Sequence, residues 1–196
     1  MTERRLIVMR HAKSSWDSGV ANDWDRPLNE RGKHDAPRIG ERLAELGWVP
    51  DAVVASDARR TRETWERMAS ALGPPPLVTF EHGLYLEGLD AIRASSVEWN
   101  ASHRTVLVLG HNPGWEDAVG ELVGAPIGMT TGNAALLVGA GADWAEALLG
   151  AWKLEALLRS RRNWATSPRQ CPPFRRHQSS ATRSLLCPSR RTPSMC

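Results

Sequence analysis

Apolar residues along this chain come in short unbroken blocks separated by longer amphipathic stretches. Leu6-Ile7-Val8-Met9 and Thr105-Val106-Leu107-Val108-Leu109 have the pattern of strands buried on both faces of a parallel sheet. Asp51-Ala52-Val53-Val54-Ala55 and Leu77-Val78-Thr79-Phe80 are shorter strand candidates, and 134–138 and 151–158 are weaker ones. Between the blocks, Ile39, Leu43 and Leu46 recur at helical spacing. Asp35 followed by Pro37 reads as the start of that helix and Gly47 as its end, with residues 29–34 as a preliminary turn. Further helices are predicted over 57–72, 89–99 and 113–123. Strands alternating with helices predict the α/β class, as a three-layer α/β/α sandwich around a mostly parallel sheet.

The pattern stops near residue 159. Residues 160–196 are rich in Arg, Ser and Pro and have no periodicity. Such a segment cannot bury enough apolar surface to offset its ordering entropy. The expected organisation is one domain over 1–159, followed by a disordered basic tail. Charge divides at nearly the same place. The whole chain carries +3, but the last acidic residue is Glu155 and nine arginines follow it, so residues 1–155 carry −6. Basicity therefore belongs to the tail, read either as a basic arm for an anionic partner or as an extension without evolved function. No nucleic-acid partner is expected. Cys171, Cys187 and Cys196 all lie in the tail, which leaves the domain without a disulfide framework or a thiolate metal site. No apolar run has membrane-spanning length and no signal-peptide pattern opens the chain. A cytoplasmic monomer without a membrane partner is expected.

The chemistry stands at the strand ends. Arg10-His11 follows the first apolar run directly, and Gly110-His111 follows the fourth strand. Open α/β sheets bind ligands at the carboxyl ends of their strands. Arg offers a permanently charged fork suited to phosphate; His offers a nitrogen that acts as base or nucleophile near neutral pH. One such pair would read as a polar turn. Two strand-terminal histidines, with Arg59, Arg60 and Arg62 between them in sequence, are harder to dismiss as structural.

Four segments extend this reading: Arg10-His11-Ala12-Lys13-Ser14-Ser15-Trp16, Asp25-Arg26-Pro27-Leu28-Asn29-Glu30-Arg31-Gly32, Ser56-Asp57-Ala58-Arg59-Arg60-Thr61-Arg62-Glu63-Thr64 and Gly110-His111-Asn112-Pro113-Gly114. In this order, over residues 4–158, they resemble the histidine phosphatase superfamily, the phosphoglycerate mutase-like proteins. Within it they are most similar to the SixA-type phosphohistidine phosphatases. The resemblance implies a phosphoglycerate mutase-like sandwich in which His11 is the nucleophile and forms a phosphohistidine. Arg10, Arg60 and His111 would bind the phosphoryl group, and a protonated His111 would bind it best. His11 must be neutral, with one ring nitrogen free and the other donating to a backbone carbonyl. Arg59 and Arg62 read as a solvated helix face.

The resemblance implies no metal and no cofactor. Asp17, Asp23 and Asp25 lack the spacing of a calcium loop, and the chain has neither a P-loop nor a dinucleotide fingerprint. The expected partner is a phosphorylated protein or a small phosphorylated molecule, and phosphohistidine in a protein is the preferred substrate. A small phosphate ester is the alternative, as is a catalytically silent phosphoryl-binding signalling module. Two departures from the family stand out. Its usual Arg-His-Gly is Arg10-His11-Ala12 here, tolerable where residue 12 needs no positive φ. Larger members protonate an alkoxide leaving group with a mid-chain carboxylate; Glu81 and Glu87 flank Tyr85 in that region, and Glu87 is carried as the candidate acid. A phosphoramidate needs such an acid less, because solvent can protonate the imidazole before it leaves.

Overall fold

The two longest apolar runs become neighbouring central strands in the computed structural model, which describes residues 1–17 and 19–159. The tail expected over 160–196 lies outside the described residues. The strands are β1 (Thr2–Arg10), β2 (Ala52–Ser56), β3 (Leu77–Glu81), β4 (Thr105–Gly110), β5 (Ala134–Gly141) and β6 (Lys153–Leu158), in the spatial order β3-β2-β4-β1-β5-β6. Strands β1 to β4 are mutually parallel, β5 runs antiparallel to β1, and β6 runs antiparallel to β5. The sheet is thus mostly parallel. The helices are α1 (Glu30–Glu45), α2 (Arg59–Ala69), α3 (Leu89–Ser96), α4 (Gly114–Val123) and the short α5 (Trp144–Ala147).

Successive side chains of a strand point to opposite faces, and both faces here are covered. Leu6 and Val8 join Val106 and Val108 in a core beneath Ile92 of α3 and Trp115 and Val119 of α4. Ile7 and Met9 join Leu107 and Leu109 beneath Ile39 and Leu43 of α1 and Trp65 and Met68 of α2. Leu6, Ile7, Val8 and Met9 are fully buried, each burial contributing about 1.5–3 kcal/mol. That explains the unbroken apolar run: β1 has no solvent face to make polar.

Helix α1 begins earlier than the sequence suggested. Its N-cap is Asn29, whose Oδ1 accepts from the Gly32 backbone N–H at 2.9 Å. Asp35 and Pro37 therefore lie inside the helix, and Asp35 pairs with Arg31 at 3.5 Å. An Asn cap that satisfies an orphan N–H outranks Pro as a start signal. Gly32 has a second reason to be glycine, since a Cβ there would lie 2.1 Å from the Lys13 carbonyl oxygen. The loop after β1 is thus packed directly on the first turn of α1. The other helices are shorter than predicted: α2 spans only Arg59–Ala69, a 3-10 turn takes Ser70–Leu72, and α3 ends at Ser96. Among the described residues no helix is long and apolar enough to cross a membrane.

Candidate active site

Strand register brings the two histidines together. In the parallel β1–β4 pair Arg10 stands opposite Gly110, so the next residues, His11 and His111, leave the sheet side by side. The His11 backbone N–H still donates to the Gly110 carbonyl at 3.0 Å. The two imidazole centroids are 5.2 Å apart. Strand β2 lies on the other side of β4, with Ala55 opposite Leu109. Ser56 at its end consequently reaches His111, with Oγ 2.9 Å from Nε2.

His11 is 5% exposed, and its Nδ1 lies 2.7 Å from the Ala12 carbonyl oxygen. Burial, then His111, and then the charges of Arg60 and Arg10 hold the imidazole well below its ordinary pKa, against a smaller opposing effect of the Ala12 bond. At neutral pH the ring is neutral. A carbonyl only accepts, so Nδ1 carries the proton and Nε2 keeps its lone pair. Ala12 is fully buried and does not have a positive φ, so its methyl is accommodated without backbone strain. Its N–H donates to Thr64 Oγ1 at 3.1 Å, and that hydroxyl donates to the Arg60 carbonyl at 2.6 Å. One threonine thus locks the loop after β1 to the first turn of α2.

His111 is 1% exposed. Burial first, then Arg60, pushes its pKa down to about 3, although Asp23 pulls the other way. The cationic form that would bind phosphate best is therefore absent at neutral pH in the protein by itself, because burial and the charges of Arg60, Arg26 and Arg10 oppose it. Ser56 Oγ also accepts from the Ala58 N–H at 3.4 Å, and its hydroxyl proton can turn to His111 Nε2, which places the imidazole proton on Nδ1. Nδ1–H is then a donor, buried and without a partner.

Arg60 is 1% exposed, bound by Asp23 and 5.5 Å from the centre of the Tyr85 ring. Its NH1 donates to the Asp23 carbonyl at 2.6 Å and its NH2 pairs with the Asp23 carboxylate at 2.9 Å. The same carboxylate accepts from the Tyr85 hydroxyl at 2.7 Å and pairs with Arg26 at 3.1 Å. Tyr85 sets its ring edge-on to His111 at 5.2 Å, and Arg26 lies 3.6 Å from the centre of the Trp16 ring. Arg10 donates to the Met129 carbonyl at 2.9 Å. Glu116 steadies that carbonyl's segment, accepting from the Met129 N–H at 2.9 Å and from Asn112 Nδ2 at 2.7 Å. The Nε groups of Arg10 and Arg60 are buried without a hydrogen-bond partner. The Nε groups of Arg4 and Arg26 are in the same condition, so what marks this end of the sheet is the gathering of Arg10, Arg60 and the two histidines, which suits an anion.

The structure therefore brings Arg10, His11, Arg60 and His111 to one end of the sheet. Arg59 is exposed and pairs with Glu63 at 2.8 Å, and Arg62 is exposed over the Phe80 ring at 4.1 Å. Glu87 is exposed, two residues before α3, and its carboxylate has no partner among the described residues. Its backbone carbonyl lies against Gly114, where a Cβ would stand 1.9 Å from it, so Glu87 sits beside the turn that follows His111. Glu81 accepts from Ser95 Oγ at 2.8 Å and serves helix α3. Among the described residues no cluster of three or more His, Cys, Asp or Glu could hold a metal ion. Sequence reasoning gives no site role to Asp23, Tyr85 or Glu116, and none to Ser56 and Thr64 beyond their place in a segment that carries the resemblance. Asp23 reads there only as a rejected cation ligand, and no local pattern connects it to Arg60 or Tyr85.

A profile of the histidine phosphatase superfamily (branch 1) matches residues 6–84. A chloroplastic protein of Arabidopsis thaliana, itself uncharacterized, is 40% identical over 168 residues, covering 79% of this chain and 77% of that protein. A candidate phosphohistidine phosphatase SixA from Nakamurella multipartitia superposes with a TM-score of 0.71 at 30% identity, over 81% of this chain and 97% of that one. A second candidate SixA, from Agrobacterium tumefaciens, gives a TM-score of 0.66 at 25% identity, over 80% and 97%.

Proposed function

Since this chain belongs to the histidine phosphatase superfamily, we propose that it is a metal-independent phosphatase that removes phosphate from phosphohistidine in a protein. The observation that carries this reading is His11: a neutral imidazole fixed through Nδ1 to the Ala12 carbonyl, with Nε2 free beside the half-buried Arg10 and the buried Arg60. In the first step the Nε2 lone pair forms a bond to phosphorus as the bond to the leaving group breaks. In the second, water attacks the phosphorylated His11, the electron pair of the P–N bond returns to Nε2, and phosphate leaves. Positive charge on the equatorial oxygens comes from Arg10 and Arg60, with the N–H of His111 as a further donor. This supply of charge is why a metal is not needed. Of the two candidate acids, Glu81 is tied to Ser95 while Glu87 stays exposed beside the turn after His111; the preference for a phosphoramidate rests on its lesser need for such an acid.

The test is a rapid alkaline quench with phosphohistidine protein labelled on phosphorus, followed by peptide mapping. The phosphoramidate is stable in alkali and labile in acid, and label is expected on His11. Label on His111, Ser14 or Ser56 instead overturns the reading, as does a complete loss of turnover in EDTA that a divalent metal restores.

A further inference from the structure

The proposed reaction passes a phosphoryl group from one imidazole to another, so both rings face the same proton problem. Each must carry N–H on the nitrogen that does not react, and that N–H needs an acceptor. On the enzyme's ring the acceptor is the Ala12 carbonyl, 2.7 Å from Nδ1. The substrate's ring needs an equivalent. It takes a proton from solvent on its distal nitrogen. When the P–N bond breaks, the electron pair stays on the formerly phosphorylated nitrogen, and neutral imidazole departs. Before cleavage that ring is cationic, and an anionic acceptor suits it better than a neutral one.

We propose that the Asp23 carboxylate is this acceptor, and that it makes the pocket selective for phosphohistidine over phosphate esters. The proposal rests on the phosphohistidine reading above. Asp23 is bound to Arg60, and Tyr85 bridges it to His111, since the Tyr85 hydroxyl donates to Oδ2 while the ring lies edge-on to the imidazole. Among the described residues Oδ1 receives the 3.1 Å contact from Arg26, and the side chain is 38% exposed. A carboxylate oxygen accepts more than one hydrogen bond, so Oδ1 keeps capacity for a further donor. Glu63, by contrast, is used by the Leu28 N–H and by Arg59. Burial raises the Asp23 carboxyl, but the Tyr85 hydroxyl, Arg60 and Arg26 outweigh it and hold it below its ordinary value. An ionised Asp23 cannot protonate an alkoxide leaving group and repels its developing charge. The same charge attracts an imidazolium.

The experiment compares full-length wild type, Asp23→Asn and Glu87→Gln on a phosphohistidine peptide and on p-nitrophenyl phosphate, whose aryl oxide leaves without protonation. The readout is the ratio of the two kcat/KM values, measured on one preparation so that the folded fraction cancels. Losing a charged acceptor is expected to lower the ratio in Asp23→Asn by about 10–100-fold. A ratio that stays constant or rises, as when Asp23 merely positions Arg60, overturns the proposal. So does a fall confined to Glu87→Gln. Failure of the underlying reading looks different: wild type itself would hydrolyse the aryl ester and leave the phosphohistidine peptide untouched.

Discussion

Arg4 and Arg60 are both 1% exposed, yet their surroundings have little in common. Arg4, near the amino end of β1, donates to the carbonyls of Ala101, His103 and Ala142, each at 2.7 Å, and lies 5.5 Å from the centre of the Trp144 ring. Its acceptors are neutral and belong to loops that converge below the sheet. Arg60, at the opposite end, is held by Asp23, whose carboxylate is partly exposed and shared with Tyr85 and Arg26. The carbonyl cage satisfies the charge of Arg4 and ties down structure. Nε is buried without a partner in both, but the Asp23 pairing lets the positive charge of Arg60 act on both histidines. Burial of a guanidinium is therefore not a functional signal in itself; what completes its hydrogen bonds is.

The contrast breaks most visibly at His11. His11→Ala should abolish turnover and the trapped phosphoenzyme while leaving the urea midpoint near that of wild type, because no fold-defining contact is lost. Arg4→Met should do the reverse. It removes the Arg4 donor from the carbonyls of Ala101 and Ala142 and leaves His103 with the Trp144 indole alone, so a loss of about 1–3 kcal/mol of stability is expected, with activity per folded molecule unchanged. Urea unfolding alongside active-site titration separates the two quantities. If Arg4→Met lowered specific activity as strongly as His11→Ala, the two ends of the sheet would not be separable.

Smaller effects sharpen the same division. His111→Ala removes one preorganised donor and should lower kcat by about 10²–10³-fold, with a trace of phosphoenzyme on His11 remaining after the quench. Thr64→Val deletes the hydroxyl that joins the Ala12 N–H to the Arg60 carbonyl. It should cost about 1–2 kcal/mol of stability and reduce kcat about tenfold, measured by unfolding and steady-state kinetics.

The last effect is a slope. The folded pKa of His111 is about 3, against about 6.5 in the unfolded chain. Between those values the unfolded state binds more protons, so stability rises with pH across the window and is lost as pH falls through it. His111 contributes up to about 1.4 kcal/mol per pH unit there. Replacing it with Gln should flatten the dependence of unfolding free energy on pH between about 6.5 and 3, and an unchanged slope would contradict its buried, neutral state.

Much of this was legible from composition and period. Strands buried on both faces cannot alternate, so Leu6–Met9 and Val106–Leu109 announced a parallel sheet, and chemistry had to follow at their carboxyl ends. Arg10, His11 and His111 were found this way because they are adjacent in sequence to the runs that place them. Arg60 was found through its resemblance to a motif. The start of α1 was misread because Pro37 is a conspicuous signal and an Asn cap is not. Helix α5 was missed because four residues show no period.

The tertiary structure alone decided what completes the pocket. Asp23 meets Arg60 across 37 positions and Tyr85 across 62, and Ser56 meets His111 across 55. No local propensity encodes such pairings. They follow from strand order, which sets β2 beside β4 and folds the loop before α1 over the start of α2. The protonation of His111 belongs to the same class. The sequence by itself determined which residues could carry charge; burial beside Arg60 decided that this one does not, because desolvation and a fixed positive neighbour are properties of a place in the fold.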